Sequence, residues 1–143
     1  MKNIIAVLLA LVIIPAFSLQ AEQLPKEKKD AAVDNLTVGI ESANEGLRTS
    51  SANVLTGLID ESYLESSDAS KAMIPLLKML DKGETDCERI AAAVALFKLG
   101  NNIGIYKLRG VAIFDENQKV SSVCKNLYYS FHKLQGTEYL LDF

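Results

Sequence analysis

The side chains able to do chemistry are few and scattered. His132 is the only histidine among 143 residues, which excludes a His-based triad and any zinc site built on several imidazoles. Its place in the last turns of a helical segment gives it a structural role, since an imidazole suits the carbonyl end of a helix. Cys87 and Cys124 are the only thiols. Cys87 stands at a helix start, but no base is placed beside it to activate it. Cys124 takes a slot that alanine holds elsewhere in the chain and reads as a small core side chain. Asp60, Glu61, Glu65 and Asp68 cluster within IDESYLESSD. They lack the alternating ligands and central glycine of a calcium loop and read as a solvated loop. Neither a glycine-rich phosphate loop nor a dinucleotide fingerprint occurs. At helical spacing Tyr128 and Phe131 close the end of a core, which leaves Tyr129 as an exposed contact. Without converging acids, bases or metal ligands, the expectation is a non-enzymatic protein with no catalytic residue, metal or cofactor.

Charge and targeting narrow the class further. Met1-Lys2-Asn3 is followed by an unbroken apolar run from Ile4 to Ile14, then by Pro15 and small residues. A basic start, a short apolar core and a small-residue exit mark a secretory signal peptide. The run is shorter than the roughly 18 residues that a spanning helix needs. Cleavage is expected after Ala21, with Ser18 as the alternative. Residues 1–21 are therefore read as signal peptide, 22–30 as linker and 31–143 as one domain, exported to the periplasm or secreted, with no membrane association after cleavage. The formal net charge of −3 argues against nucleic acid, whose binders carry a clustered basic face. The absence of tryptophan and an aromatic content of 7% leave no stacking platform for bases or sugars.

The elements that must position these residues are helices. Apolar residues recur at helical spacing after EQLPKEKKD, and no run alternates with period two. Six helices are expected near 29–42, 45–59, 70–82, 86–99, 103–114 and 117–134. Thr85 with Glu88 and Ser42 with Glu45 fit the capping box; Asp115 with Gln118 is a looser version. Gly83, Gly100 and Gly136 stand where helices end in a left-handed residue. The stretch Ile90–Phe97 contains no polar side chain, and a helix apolar all round must be covered on every side.

The chain is also self-similar. Sliding the segment 72–100 forward by 31 residues places Ile74 on Ile105, Leu77 on Leu108, Ala93 on Cys124 and Leu96 on Leu127. Sliding it back by 41 places Ile74 on Val33, Leu77 on Leu36, Arg89 on Arg48, Ala93 on Ala52 and Leu96 on Leu55. The difference equals the acidic insertion 59–68. In this register Cys124 lies six residues past the equivalent of Cys87, about 9 Å along a helix, so no disulfide is expected even in an oxidising compartment.

The segment AMIPLLKMLDKGETDCERIAAAVALFKLG resembles a short HEAT repeat, through Ile74-Pro75-Leu76-Leu77, Asp81, Arg89, Ala92-Ala93 and Leu96. Weaker likeness extends from Val33 to Leu134. The outer copies depart from the pattern: Pro75 is matched by Asp34 and Tyr106, Arg89 by Val120 in the third copy, and Leu80 by Gly39 in the first. The resemblance implies an all-α fold, a right-handed α-solenoid of about three helical hairpins; a closed bundle is the alternative burial. It also implies an exported scaffold that binds a protein or peptide, with weak self-association through an end repeat as a further expectation. The runner-up function is a small helical carrier of a lipid or apolar molecule. Second helices line the concave side in such arrays, which makes Asn53, Lys98, Ser122, Lys125, Tyr129 and Lys133 the candidate partner-binding surface. The tail TEYLLDF reads either as a cap on the core or as a recognised terminus.

Overall fold

The computed structural model describes residues 24–137. The expected signal peptide, the first residues of the expected linker and the tail from Glu138 to Phe143 lie outside them. Six α-helices follow in order: α1 (Lys26–Ile40), α2 (Glu45–Asp60), α3 (Met73–Lys82), α4 (Asp86–Leu99), α5 (Asn102–Phe114) and α6 (Gln118–Leu134). A 3-10 turn, Asp68–Ala72, leads into α3. The described residues contain no strand. The fold is all-α, and the six segments match those expected from apolar spacing. α1 begins inside the stretch expected to be a linker, and the Lys29 ammonium is anchored there, 3.1 Å from Asp68.

Local chemistry sets the helix ends. The Thr85 hydroxyl accepts from the Glu88 N–H, as half of a capping box does. The other two starts differ from the sequence reading. Asn44, not Ser42, caps α2 by accepting from the Leu47 N–H, and Ser42 accepts from the Asn44 N–H. Asn117 caps α6 by accepting from the Lys119 and Val120 amides, while Asp115 accepts from the Asn117 N–H. Only the residue immediately before the helix can reach its first free amides; Ser42 and Asp115 stand two positions too early and brace the cap instead. Gly100 and Gly136 adopt φ of 60° and 65°, the left-handed ends expected of them. Gly83 does not, with φ −58°. Glycine is required at that position for space, because a Cβ would lie 2.7 Å from the Met79 carbonyl oxygen and 2.8 Å from Arg89 Cγ.

Packing explains the run Ile90–Phe97. α4 touches α2, α3, α5 and α6, so Ala91, Ala92, Ala93, Ala95, Leu96 and Leu99 are all buried. Alanines at those contacts let neighbouring backbones approach closely. Each of α1, α3 and α5 packs on the helix that follows it, and α2 and α6 both pack on α4. The core therefore runs through the row α2–α4–α6 and is closed on one side by the first helices.

Burial corrects the register of the internal similarity. A shift of 31 pairs Ile74, 63% exposed, with buried Ile105. A shift of 32 pairs buried with buried at five positions along both helices: Ala72 with Gly104, Leu76 with Leu108, Met79 with Val111, Ala92 with Cys124 and Leu96 with Tyr128. It also pairs exposed Ile74 with exposed Tyr106 and cap Thr85 with cap Asn117. Apolar identity alone does not say which side of a helix a residue takes, and Ile74 is apolar on an open side.

The acidic insertion is not a free loop. After α2, Ser62 adopts φ 62°, and the Tyr63 and Leu64 amides both return to the Leu58 carbonyl. This turn drops Leu64 into the core, where it is 2% exposed. Asp60 then pairs with Lys98 and Asp68 with Lys29.

Candidate interaction surface

The row of second helices is held in place by a repeated arginine. Arg48 on α2 donates to the carbonyls of Ser42 and Ala43, in the connection between α1 and α2, and to both oxygens of Glu88 on α4. Arg89 on α4 donates to the Leu80 carbonyl of its own hairpin and to both oxygens of Asp115, ahead of α6. A planar guanidinium can meet a carboxylate with two parallel bonds and keep a donor for a carbonyl. Helix starts are joined as well: the Thr85 hydroxyl donates to Glu45 at 2.6 Å, and the Asn117 amide donates to Asp86 at 2.6 Å.

The carboxylates in these links are shifted below their ordinary range. The Arg48 hydrogen bonds hold the Glu88 carboxyl below the usual carboxylate range against the opposing effect of burial, with the Glu84 amide adding to them. Arg89 does the same for Asp115, assisted by the Asn117 amide. Asp68 is lowered first by the Glu65 backbone amide and then by Lys29. Each of these groups already has its partners, so none is poised as an acid or base.

The residues expected to face a partner lie on the outward sides of α2, α4 and α6. Asn53 is exposed on α2. On α4, Lys98 is half-buried: its ammonium is 2.5 Å from Asp60 and 5.9 Å from the centre of the Phe97 ring, and its carbonyl accepts from the Ser66 hydroxyl. On α6, Ser122 and Lys133 are exposed, and Tyr129 is 37% exposed. The Lys125 ammonium sits 6.0 Å from the Tyr129 ring centre, within cation–π range. Lys125 and Tyr129 thus form one contact unit, whereas Lys98 is engaged with the insertion. Sequence reasoning missed the Arg48–Glu88 and Arg89–Asp115 links. Their signal was the matching of Arg48 with Arg89, which marked both as equivalent without naming their partners.

Of the remaining reactive groups, Cys124 and the ring of His132 are placed for packing. Cys87 is exposed and Cys124 buried, both as free thiols. Burial pushes the Cys124 thiol up to about 12, which removes it as a nucleophile. The His132 ring packs edge-on against Tyr128 and Phe131, with centres 4.4 and 5.5 Å apart. Its Nδ1 is 3.1 Å from the Thr137 hydroxyl. A cleft of about 400 Å³ opens between the first two hairpins, lined by Ile40, Arg48, Lys78, Met79, Glu84 and Glu88 among others. Its charged lining is unlike the apolar interior that a lipid carrier needs. Among the described residues no group of histidine, cysteine and acidic side chains is arranged to hold a metal ion. Compared with protein-family models, curated proteins and solved structures, the chain matches none of them.

Proposed function

We propose that the protein is an exported, non-enzymatic scaffold of HEAT-like character, a right-handed α-solenoid of three hairpins that binds a protein or peptide. The observation that carries this reading is the row α2–α4–α6 with its repeated arginine. Each arginine grips its own hairpin by a carbonyl and the next hairpin by a carboxylate. Equivalent arginines in two successive units, each bridging to the next, fit a stack in which every unit contacts its neighbours, although the acceptors differ, Glu88 within α4 and Asp115 ahead of α6. α6 carries no arginine.

The partner surface is the outward side of the second helices, with Tyr129 and Lys125 at its centre and Asn53, Lys98, Ser122 and Lys133 around them. Tyrosine offers rigid contact area, and residues of this kind dominate many interfaces. The adjacent lysines Lys125 and Lys133 favour an acidic peptide. The test begins with capture of the partner from an envelope extract, followed by titration. Tyr129→Ala combined with Lys125→Glu should weaken binding at least tenfold, about 1.4 kcal/mol, with unchanged helical circular dichroism. Undiminished affinity rejects this surface and moves attention to the insertion around Tyr63, which is 42% exposed.

A further inference from the structure

Packing assembles a second surface, on the outer side of the first helices. On α5, Ile103, Tyr106 and Phe114 are 58%, 72% and 82% exposed. Their three- and eight-residue spacing keeps them on one side of the helix, in a stripe about 16 Å long at the helical rise. Ile74, on the open side of α3, is 63% exposed and is the equivalent of Tyr106 in the hairpin before. The two helices lie side by side, tied by the Lys107 ammonium 2.5 Å from Asp81. An exposed apolar patch rimmed by polar groups marks a contact surface.

The charge around this patch is of one sign. α3 and α5 carry Lys78, Lys82, Lys107 and Arg109 against a single carboxylate, Asp81, in a chain whose formal net charge is −3. Asp81 is already taken up by Lys107. Lys78, Lys82 and Arg109 make no ion pair among the described residues. Helical spacing puts Lys107 and Arg109 on opposite edges of the α5 stripe, and Lys78 and Lys82 in line with Ile74 on α3.

We propose that this face rests on a lipid bilayer with anionic headgroups, Ile103, Tyr106 and Phe114 entering the apolar layer and the basic side chains meeting the phosphates. Lysine and arginine can lay their aliphatic stems along apolar surface and keep the charge at headgroup level. Tyrosine, with an apolar ring and a polar hydroxyl, suits the same boundary. Unpaired cations near an anionic surface add to the attraction. A second copy meeting this face with its own would set Lys78, Lys82 and Arg109 against like charges. An acidic protein would need pockets shaped to three protruding side chains, whereas a fluid acyl layer takes them without any. No described helix is long and apolar enough to cross a membrane, so the contact is peripheral. The proposal departs from the sequence-based expectation of no membrane association, because these residues come together only where α3 packs on α5. It is independent of the partner-binding reading, whose surface lies on the second helices.

Photo-cross-linking to vesicles tests it, using the protein as recovered from cells. A benzophenone amino acid replacing Phe114 should form lipid adducts on vesicles of phosphatidylcholine mixed with phosphatidylglycerol. The same group replacing Val54, 50% exposed on α2, should form far fewer. Lys78→Glu with Lys82→Glu should lower the yield at position 114 about tenfold or more, with unchanged helical circular dichroism. Raising the salt should also lower it in the chain that keeps both lysines, because exposed charges are screened. Equal yields at positions 114 and 54 would trace the attachment to another part of the chain and overturn the proposal. So would the absence of lipid adducts, or yields indifferent to salt and as high on phosphatidylcholine alone. Adducts joining two chains in place of lipid adducts would assign the face to a second copy and overturn it as well.

Discussion

Glu88 is a carboxylate only 2% exposed, two residues before the run Ile90–Phe97 that carries no polar side chain. It is tolerated there because Arg48 and the Glu84 amide satisfy its oxygens. An unpaired carboxylate at such a site would be strongly unfavourable. The same bonds make it a source of pH dependence. Its folded-state proton affinity is lowered, so folding is favoured most where the unfolded chain would already be ionised. That stabilisation is present above the ordinary carboxylate range near 4.5 and is lost as the pH falls through the lowered folded value. Glu88→Gln should therefore cost about 1–3 kcal/mol near neutrality. The gap to the native chain should close as the pH falls from about 5, because the native chain then loses what the glutamine chain never had. Urea titrations of both chains across the acid range measure this gap. A gap of constant size would show that Glu88 contributes through shape rather than charge.

At the scale of elements, α4 sets the geometry of the molecule. Its buried alanines fix how near α2, α3 and α6 can come, and Ala92 and Ala93 are both fully covered. A larger side chain at either position must push a neighbouring helix outward. Ala92→Leu or Ala93→Leu should cost about 1–3 kcal/mol by overpacking, read by chemical denaturation. Less than about half a kcal/mol for both would mean that the helices have room to part. The caps carry a related lesson. Capping chemistry is legible before α2, α4 and α6, yet Ser42 and Asp115 fit the sequence pattern where Asn44 and Asn117 perform the role. A run of several capping-competent residues identifies a start without identifying the cap, because the choice depends on where the first free amides point.

The whole molecule is tied together by contacts distant in sequence, such as Arg48 with Glu88 and Lys29 with Asp68, 40 and 39 residues apart. The insertion takes part in this, since buried Leu64 and paired Asp60 and Asp68 lock the first hairpin onto the second. Export belongs to this scale as well. If the amino-terminal segment acts as a signal peptide, mass spectrometry of the protein from an envelope fraction should find a new N-terminus at Glu22 or Leu19. Intact Met1 in the membrane pellet would assign that segment to an anchor instead.

Sequence alone determined the all-α class, the six helices and their near bounds, and the burial of the run through Ile90 and Phe97. Those features depend on local spacing and on glycine, asparagine and threonine chemistry, all of which act within one or two helical turns. Tertiary structure decided the rest. It shifted the internal similarity from 31 to 32 residues, because the exposed side of Ile74 is defined by what packs beside it and not by its own apolarity. It anchored the largely exposed acidic stretch through buried Leu64 and through the pairs of Asp60 with Lys98 and Asp68 with Lys29, because those lysines approach it only in three dimensions. It also gave the two equivalent arginines their partners: a guanidinium's reach across neighbouring helices depends on how those helices stack, and no periodicity within a single helix encodes that stacking.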